Sequence, residues 1–387
     1  MSGHMRQRGD AWELRVYVGR DAVSGRERYA TRTIRAGKRE AQRALNEMVV
    51  AAERGSLVKT RATMGELLEA WFEHAQRDFS PKTVLETRGF IDRTIKPELG
   101  HISLVRLRPI TLDRFYDRLL SPGGGRKGGA LAPATVRRIH GVIRRALAQG
   151  VRWGWLGSNP AASASPPRVP APSITPPTPG ELARLLLAAE VRDPDLAVFL
   201  MLSAATGARR SELVALRWSD VDLGRFVVTI ARGIVLGPDG LVEKDTKTHQ
   251  ARRVTLDHAT TEALARCRQA ATERAAFCGV ELDSAGFVFT SDLGDTPWYP
   301  DSVSRRFRDL ARDVGQSGVR LHDLRHYVAT RLLTAGVDVR TVAGRLGHRN
   351  AATTLNVYSH FVPEADRRAA DILAGLLDSE RQERADP

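Results

Sequence analysis

The sequence is poor in cysteine and has no long apolar run. Its only cysteines, Cys267 and Cys278, form no Cys-x-x-Cys pattern, so neither a disulfide framework nor a zinc site is indicated. The longest apolar stretch, 196–205, is too short to span a bilayer, and the start of the chain lacks the apolar segment of a secretion signal. We therefore expect a cytoplasmic protein with reduced thiols and no membrane span, whose residues 1–5 look like a vector-derived remnant.

Acidic residues are too few to balance the basic ones. The chain has 59 Lys+Arg against 45 Asp+Glu, a net charge of +14. Such a balance indicates a polyanionic partner, with nucleic acid as the first candidate and a membrane surface as the second. The length of 387 residues exceeds one typical domain and suggests two or three.

The amino-terminal segment combines basic charge with a short sheet pattern. Residues 12–18 and 29–33 alternate as strands do, and 38–53 carries apolar residues at helical spacing. The first sixty residues hold thirteen Lys+Arg and seven Asp+Glu, so this segment is strongly basic. Either it binds DNA or it is a solvated basic subdomain that only aids folding, and we favour DNA binding. The candidate contacts on the sheet are Arg15, Arg28 and Arg32.

The next hundred residues have a helical pattern throughout, at about 64–76, 80–96, 111–120 and 132–151. Ser80-Pro81 is a helix-start pair, with serine as the cap and proline at the first helical position. The last helix has an apolar face and a separate basic face, and no Asp or Glu occurs between Ser121 and Arg152. Phosphate contacts explain this face better than an ordinary mixed-charge surface does. The arginines concerned are Arg137, Arg138, Arg144 and Arg145.

A proline-rich stretch at 159–178 separates this helical region from the rest. It is either a bare spacer or a stiff linker that lets two domains close on a duplex as a clamp. Beyond it the pattern predicts helices first and strands afterwards. The predicted helices are 179–189, 194–205 and 209–216, and the predicted strands are 226–230, a hairpin with arms at 241–246 and 252–256, and 286–290.

Residues able to act on a phosphodiester accumulate in the second half of the chain. His322 and Arg325 are three apart in a helical pattern, so both can approach one small anion. Gly347 is suited to end the following helix and to present His348, and Arg209 opens an earlier helix. Tyr358 follows His348 by ten residues. Because a phenol has a pKa near 10, it needs such cationic neighbours to act as a nucleophile at neutral pH.

The order and spacing of these motifs identify a family. Thr206-Gly207-x-Arg209-x-x-Glu212, His322-x-x-Arg325, Leu346-Gly347-His348 and Tyr358 resemble the tyrosine recombinases, or phage integrases. This resemblance implies a multidomain, mainly α fold in four segments. They are a small α/β arm-binding domain at 1–58, a helical, SAM-like core-binding domain at 61–158, a linker at 159–178 and a mixed α+β catalytic domain at 179–387.

The resemblance also implies roles for these residues. Tyr358 would attack the scissile phosphate to give a 3′-phosphotyrosine, while Arg209 and Arg325 clamp its non-bridging oxygens. His322 would assist proton removal and His348 would hydrogen-bond the phosphate. Lys247, at the tip of the predicted hairpin, would be the general acid, with Lys244 as the alternative. Glu212 is expected to orient the helix of Arg209.

Metal and cofactor are not expected. His322, His348 and His360 could in principle bind zinc, but the arginines beside them would repel a cation, and no carboxylate or thiolate accompanies them. Tyr299 and Tyr327 are the rival nucleophiles; Tyr327 is rejected because it would face away from Arg325.

The expected partner is double-stranded DNA at core and arm attachment sites. We expect the free protein to be a monomer and to form a homotetramer on synapsed DNA. DNA-bending and excision-directing accessory proteins are further expected partners. The helix expected at 367–377 could dock in cis or in trans. The leading function is integration and excision of a prophage or mobile element. A type IB topoisomerase and a DNA-binding regulator without catalysis are the alternatives.

Overall fold

The structure, a computed structural model, describes residues 3–20, 27–53, 60–125, 128–170, 175–245 and 251–348, together with Leu355, Asp371 and Ala374. The chain divides into two compact units, Met1–Ala171 and Pro172–Pro387. Helices dominate both, with small sheets beside them, so the prediction of a multidomain, mainly α protein is confirmed.

The first unit opens with a three-stranded antiparallel sheet of β1 (Gly3–Arg8), β2 (Ala11–Arg20) and β3 (Glu27–Ile34), followed by α1 (Lys38–Glu53). Leu14 and Val16 of β2 pack on the apolar side of α1. Strand β1 was not predicted, and it includes Gly3 to Met5 of the segment that looks like a remnant. These residues pair with β2 from Gly3 opposite Val16 onward. The strand is mostly polar because most of it is exposed, so its sequence carries little periodic signal.

Helices follow in the same unit, with the bounds α2 (Met64–Ala75), α3 (Pro81–Phe90), α4 (Lys96–Leu99), α5 (Pro109–Leu120) and α6 (Pro133–Arg152). Ser80 caps α3 and Pro81 is its first residue, as predicted. The single helix predicted at 80–96 is interrupted by a π-helical turn at Ile91–Ile95. Both isoleucines of that turn are fully buried, so the pattern stays apolar although the hydrogen bonding changes.

Helix α6 supplies much of the core of these helices. The predicted apolar face is confirmed, since Val136, Ile139, Ile143 and Leu147 are all fully buried. Beside this face Tyr116 of α5 and His140 of α6 are buried together, with the phenol oxygen 2.9 Å from Nδ1. Burial raises the pKa of Tyr116, with the nearby carboxylate of Asp113 adding to it.

The second unit has a mixed α+β core. Its helices are α7 (Pro179–Arg192), α8 (Pro194–Thr206), α9 (Arg210–Val214), α10 (His258–Phe277), α11 (Pro300–Asp313), α12 (Asp323–Thr334) and α13 (Val339–Leu346), and its strands are β4 (Val221–Asp222), β5 (Val227–Ile230), β6 (Arg232–Gly237), β7 (Gly240–Asp245) and β8 (Arg252–Thr255). The almost wholly apolar α8 lies in the middle of the core, in contact with α7, α10 and α12. The long helix α10 was not predicted, because alanine, threonine and arginine fill most of it and blur the apolar period.

Two strand predictions were wrong. The arm at 241–246 was expected to pair with 252–256, but β7 pairs with β6 and β8 pairs with β5. Gly237-Pro238-Asp239-Gly240 offers a tight turn that gives β7 a nearer partner. The segment 286–290 is no strand: it makes only single bridges, Arg217 to Phe287 and Thr290 to Pro297, and its apolar residues are buried against the core.

No helix within the described ranges is long and apolar enough to cross a bilayer.

Candidate active site

Arg209 lies where α8 ends and α9 begins. Gly207 ends α8 with a φ of +63°, and a Cβ there would come within 2.4 Å of the Leu346 side chain, so only glycine allows α13 to approach. Arg209 then takes the extended conformation of a helix cap. Its backbone N–H donates to Oε2 of Glu212 at 3.0 Å, and its Nη1 donates to Oε1 at 2.7 Å. The carboxylate therefore fixes both the main chain and the side chain of Arg209.

Glu212 has a second arginine partner that belongs to none of the sequence motifs. Nη2 of Arg252, at the start of β8, donates to Oε2 of Glu212 at 2.6 Å. Burial raises the pKa of the Glu212 carboxyl, but the charges and hydrogen bonds of Arg252 and Arg209 outweigh it and hold that pKa below its ordinary value. The carboxylate is therefore ionised at neutral pH, beside two guanidinium groups.

A pattern in the sequence could have revealed Arg252. Along β8 the side chains alternate, and Val254 and Leu256 are buried while Arg253 and Thr255 are exposed. Arg252 therefore shares the inward face with Val254 and Leu256. An arginine on the inward face of a strand is unusual unless it is paired, and this signal points to a buried carboxylate.

Arg325 is held inside the unit by α12. Arg325 is only 3% exposed, and its Nη1 donates to the backbone carbonyl of Gly207 at 2.6 Å. His322 immediately precedes the first residue of the same helix, so the His-x-x-Arg motif lies at a helix start. The guanidinium of Arg325 thereby meets the turn that leads to Arg209.

His348 is presented by the end of α13. Gly347 ends that helix with a φ of +69°, as predicted, and the N–H of His348 donates to the carbonyl of Ala343 at 2.9 Å. Nη2 of Arg209 donates to the carbonyl of Gly347 at 3.3 Å. This hydrogen bond joins the start of α9 to the end of α13.

The two histidines of the motif are neutral at physiological pH. Burial lowers the pKa of His348 to about 4, helped by the charges of Arg325, Arg209 and Arg252. Partial burial likewise lowers the pKa of His322 to about 4, with His326 and Arg325 adding to the effect. Because each histidine experiences the same arginines, the four predicted residues Arg209, His322, Arg325 and His348 share one electrostatic site.

Two predicted site residues, Tyr358 and Lys247, lie outside the described residues. Lys244, the alternative general acid, lies in β7 opposite Gly233 of β6. Of the rival nucleophiles, Tyr299 is exposed at the start of α11, and Tyr327 is partly buried against the core. The described ranges contain no group of three or more histidine, cysteine or carboxylate side chains placed to hold a metal ion.

The basic side chains predicted to contact DNA are exposed on α6 of the first unit. Arg137, Arg138, Arg144 and Arg145 all face solvent. Arg138 is paired with the carboxylate of Glu86, and Nη1 of Arg137 donates to the carbonyl of Pro167 at 3.2 Å. One of the four charges is therefore already balanced within the protein.

The arginines of the amino-terminal sheet do not share one face. Arg15 lies opposite Thr31, whereas Arg32 lies opposite the buried Leu14, and residues directly opposite point to the same face. Arg15 is thus on the open face, where its guanidinium carbon lies 3.8 Å from the centre of the Tyr29 ring. Arg32 is on the side that α1 covers, although its own side chain is exposed. The side chain of Arg28 lies outside the described residues.

In chemical terms, this site can bind an anion. Two guanidinium groups provide forked donors for non-bridging oxygens, and two neutral imidazoles can exchange protons with a substrate. The site residues come from three segments distant in sequence, which contact one another through the carbonyls of Gly207 and Gly347.

Comparisons with known proteins agree with this geometry. The sequence profile of the Phage integrase family matches residues 178–364, and that of the phage integrase N-terminal SAM-like domain matches 63–120. A tyrosine recombinase XerC-like protein of Caldanaerobacter subterraneus subsp. tengcongensis is 24% identical over 95% of this chain and 96% of its own length. The ICEBs1 integrase of Bacillus subtilis is 30% identical over 46% of this chain and 48% of its own.

Among solved structures, the Tn1549 transposon integrase in complex with a circular intermediate DNA has a similar fold. Its TM-score is 0.67 at 18% identity, and the match covers 81% of this chain and 99% of that one. This structural match shows the fold, and the two phage integrase profiles, one on each unit, establish that the chain belongs to the phage integrase family and is an integrase of the tyrosine recombinase type.

Proposed function

We propose that this integrase cuts and rejoins DNA at the attachment sites of a prophage or other mobile element, with Tyr358 as the nucleophile. The phenolic oxygen attacks the scissile phosphorus, and the bond between phosphorus and the 5′ oxygen breaks. The phosphorus stays bonded to the 3′ oxygen, which gives a 3′-phosphotyrosine, and the 5′ oxygen leaves as a hydroxyl. A 5′-hydroxyl from the partner duplex then reverses the step. One phosphodiester replaces another in each direction, so the scheme uses neither ATP nor a cofactor.

The observation that carries this proposal is the convergence of Arg209, Arg325, His322 and His348 in one site. Negative charge grows on the non-bridging oxygens as the phosphorus becomes five-coordinate. Arg209 and Arg325 supply preorganised forked donors for that charge, in a site where water is partly excluded. Their own fixed hydrogen bonds, to Glu212 and to Gly207, keep them from reorganising during the reaction.

The neutral form of the two histidines is compatible with their assigned roles. A neutral His322 can accept the proton of Tyr358, which a protonated imidazole could not do. His348 hydrogen-bonds a phosphate oxygen. Lys247 protonates the leaving 5′ oxygen, with Lys244 as the alternative donor.

The rest of the chain would bring DNA to this site. We assign arm-site binding to residues 1–58 and catalysis to 179–387. Core-site binding belongs to the helical segment 61–158, which presents its basic face on α6, and residues 159–178 link the two. Solved DNA complexes of the Tn1549 and lambda integrases support a DNA partner. We further assign the integrase to the cytoplasm and expect a monomer that forms a homotetramer on synapsed sites, assisted by DNA-bending and excision-directing proteins.

The test is covalent capture of DNA. A core duplex is first selected from a random-sequence library by its binding to the Tyr358→Phe protein. Duplexes nicked at successive positions are then incubated with the wild-type chain, because the short fragment beyond a correctly placed nick diffuses away and traps the adduct. We expect a 3′-linked adduct with the wild type and none with Tyr358→Phe, which should still bind.

Three outcomes would contradict parts of this proposal. An adduct that survives Tyr358→Phe would remove Tyr358 as the nucleophile. Loss of cleavage in EDTA would require a metal mechanism. Supercoil relaxation without two attachment sites would favour a type IB topoisomerase, and binding without any adduct would favour a regulator.

A separate deletion tests the amino-terminal assignment. Removing residues 1–55 should leave cleavage of the core duplex intact and impair recombination between full attachment sites. Equal recombination by the shortened chain would defeat the arm-binding role.

A further inference from the structure

Arg252 is a buried arginine that none of the roles proposed above uses. Its side chain is 9% exposed, and it lies at the start of β8 on the inward face of the strand. Such burial of a guanidinium requires partners for its donors. Two of the partners belong to the segments that carry Arg209 and His348.

The first partner is Glu212, which accepts from Nη2 of Arg252 at 2.6 Å. The same Oε2 accepts from the backbone N–H of Arg209 at 3.0 Å, and the other oxygen, Oε1, accepts from its Nη1 at 2.7 Å. The position of the Arg209 guanidinium therefore depends on a carboxylate that Arg252 holds from its other side.

The second partner is the end of α13. Nε of Arg252 donates to the carbonyl of Arg345 at 2.9 Å, two residues before Gly347. A Cβ added at Gly347 would lie 2.7 Å from Nη1 of Arg252, so the guanidinium occupies the space beside the residue that presents His348. Nη1 itself has no hydrogen-bond partner among the residues that the structure describes.

We infer that Arg252 is a positioning residue for strand cleavage, since its single guanidinium ties the carboxylate behind Arg209 to the helix end that carries His348. This inference rests on the catalytic roles proposed for Arg209 and His348. Arg252 acts through these neighbours and needs no contact of its own with DNA.

The planar fork of a guanidinium suits this task. Nε and Nη2 point in fixed directions, so one side chain satisfies the carbonyl of Arg345 and the carboxylate of Glu212 together. A lysine has one ammonium group and can reach only one of these acceptors well. Arg252→Lys therefore keeps the positive charge and loses one of the two hydrogen bonds. The variant thus separates the effect of the hydrogen-bond geometry from the effect of the charge.

The experiment measures single-turnover cleavage of the selected, nicked core duplex by the full chain. Arg252→Met and Arg252→Lys are compared with Arg253→Met, a matched control whose side chain is exposed on the opposite face of the same strand. Each substitution is made in the wild-type and in an Arg209→Lys background, to form a double-mutant cycle. Thermal unfolding and affinity for the duplex are recorded for every variant.

We expect Arg252→Met to slow cleavage by roughly 10- to 100-fold, the size that a misplaced catalytic group produces. Duplex affinity should change by less than about threefold, and Arg253→Met should match the wild type. In the Arg209→Lys background the same substitution should slow cleavage by a smaller factor, because the fork that Arg252 positions is already gone and only its effect on the helix end that carries His348 remains. Arg252→Lys should lie between Arg252→Met and wild type.

Two results would overturn the inference. One is an equal loss of rate on Arg252→Met in both backgrounds, which a merely structural residue would produce. The other is a cleavage rate for Arg252→Met no lower than that for Arg253→Met. If Arg252→Met fails to fold, Arg252→Lys decides by the same comparison. An adduct that persists with Tyr358→Phe would instead refute the proposed function, so the two failures are distinguishable.

Discussion

Arg209 and Glu212 are joined twice, through the side chain of Arg209 at 2.7 Å and through its backbone N–H at 3.0 Å. The sequence motif predicts that Glu212 orients the helix that follows Arg209. The carboxylate does more, because it holds the guanidinium itself and receives a further hydrogen bond from Arg252. A residue with no proposed contact to DNA thus controls the geometry of a proposed phosphate clamp.

Glu212→Gln should destabilise the second unit and slow cleavage. The substitution keeps the shape of the side chain but leaves two buried or half-buried guanidinium groups without their counter-charge, which costs about 3 kcal/mol. For a unit of this size the loss lowers Tm by roughly 6–12 °C. Calorimetry of the full chain and the adduct assay measure the two effects.

Glu243→Gln is the matched control for this prediction. Glu243 also pairs with an arginine, Arg217, at 2.9 Å, but its side chain is 43% exposed. A surface pair contributes about 0–1 kcal/mol, so Tm should hardly move. Equal effects of the two substitutions would mean that the buried carboxylate has no special role.

Gly347→Ala should impair both folding and cleavage. The φ of +69° costs a residue with a side chain roughly 1–2 kcal/mol, and the new methyl group would press on Nη1 of Arg252 at 2.7 Å. Displacing Arg252 or His348 should slow cleavage by about tenfold or more. The adduct assay and thermal unfolding provide both measurements.

A glycine in the same helix serves as the control. Gly344 is exposed within α13, and a Cβ there would meet nothing within 4 Å. Gly344→Ala should therefore stabilise the helix by about 0.5–1 kcal/mol and leave cleavage unchanged. A loss of activity in Gly344→Ala comparable to that in Gly347→Ala would show that the end of α13 is not the sensitive point.

The sequence predicted local features of the site better than the pairing of distant segments. The glycine cap before His348 and the apolar face of α6 follow from interactions within one helix, so residue spacing alone predicts them. The partner of β7 depends on contacts that any alternating strand could make, and the prediction of its partner was wrong. Strand β1 escaped notice for the related reason that its exposed residues have no apolar alternation.

Arg252 shows why part of the site was missed. Its importance lies in two acceptors, Glu212 and the carbonyl of Arg345, that are 40 and 93 residues away in the chain. A motif fixes spacing within one segment and contains no information on such contacts. Only the inward position of an arginine on a strand signals that a buried partner exists.

Acid should lower the free energy of unfolding of the second unit, because His322 and His348 become protonated. Their pKa values in the folded chain are about 4, below the ordinary value of 6.5, so between these limits the unfolded chain binds more protons than the folded one. Stability therefore falls as the pH falls from about 6.5 to about 4, and changes little from this cause above 6.5. The measurement is Tm of the second unit against pH.

His348→Gln isolates this contribution. The variant should show a shallower fall of Tm than the wild type between pH 6.5 and 4, and a parallel course from pH 7 to 8, because the removed imidazole is neutral there in both states. A fall as steep as that of the wild type would mean that His348 does not carry a lowered pKa.

The open face of the amino-terminal sheet should contribute more to arm-site binding than the covered face. Arg15 stands there over the Tyr29 ring, whereas Arg32 is on the side packed by α1. A sheet that enters a DNA groove offers one face, so Arg15→Ala should weaken binding by about tenfold and reduce the slope of log K against log salt by about 1. Arg32→Ala should weaken it by less than about threefold. Fluorescence anisotropy measures both affinities, with the Tyr358→Phe chain and a duplex that is selected for arm binding and lacks the core site. A larger effect of Arg32→Ala than of Arg15→Ala would place the DNA on the other face.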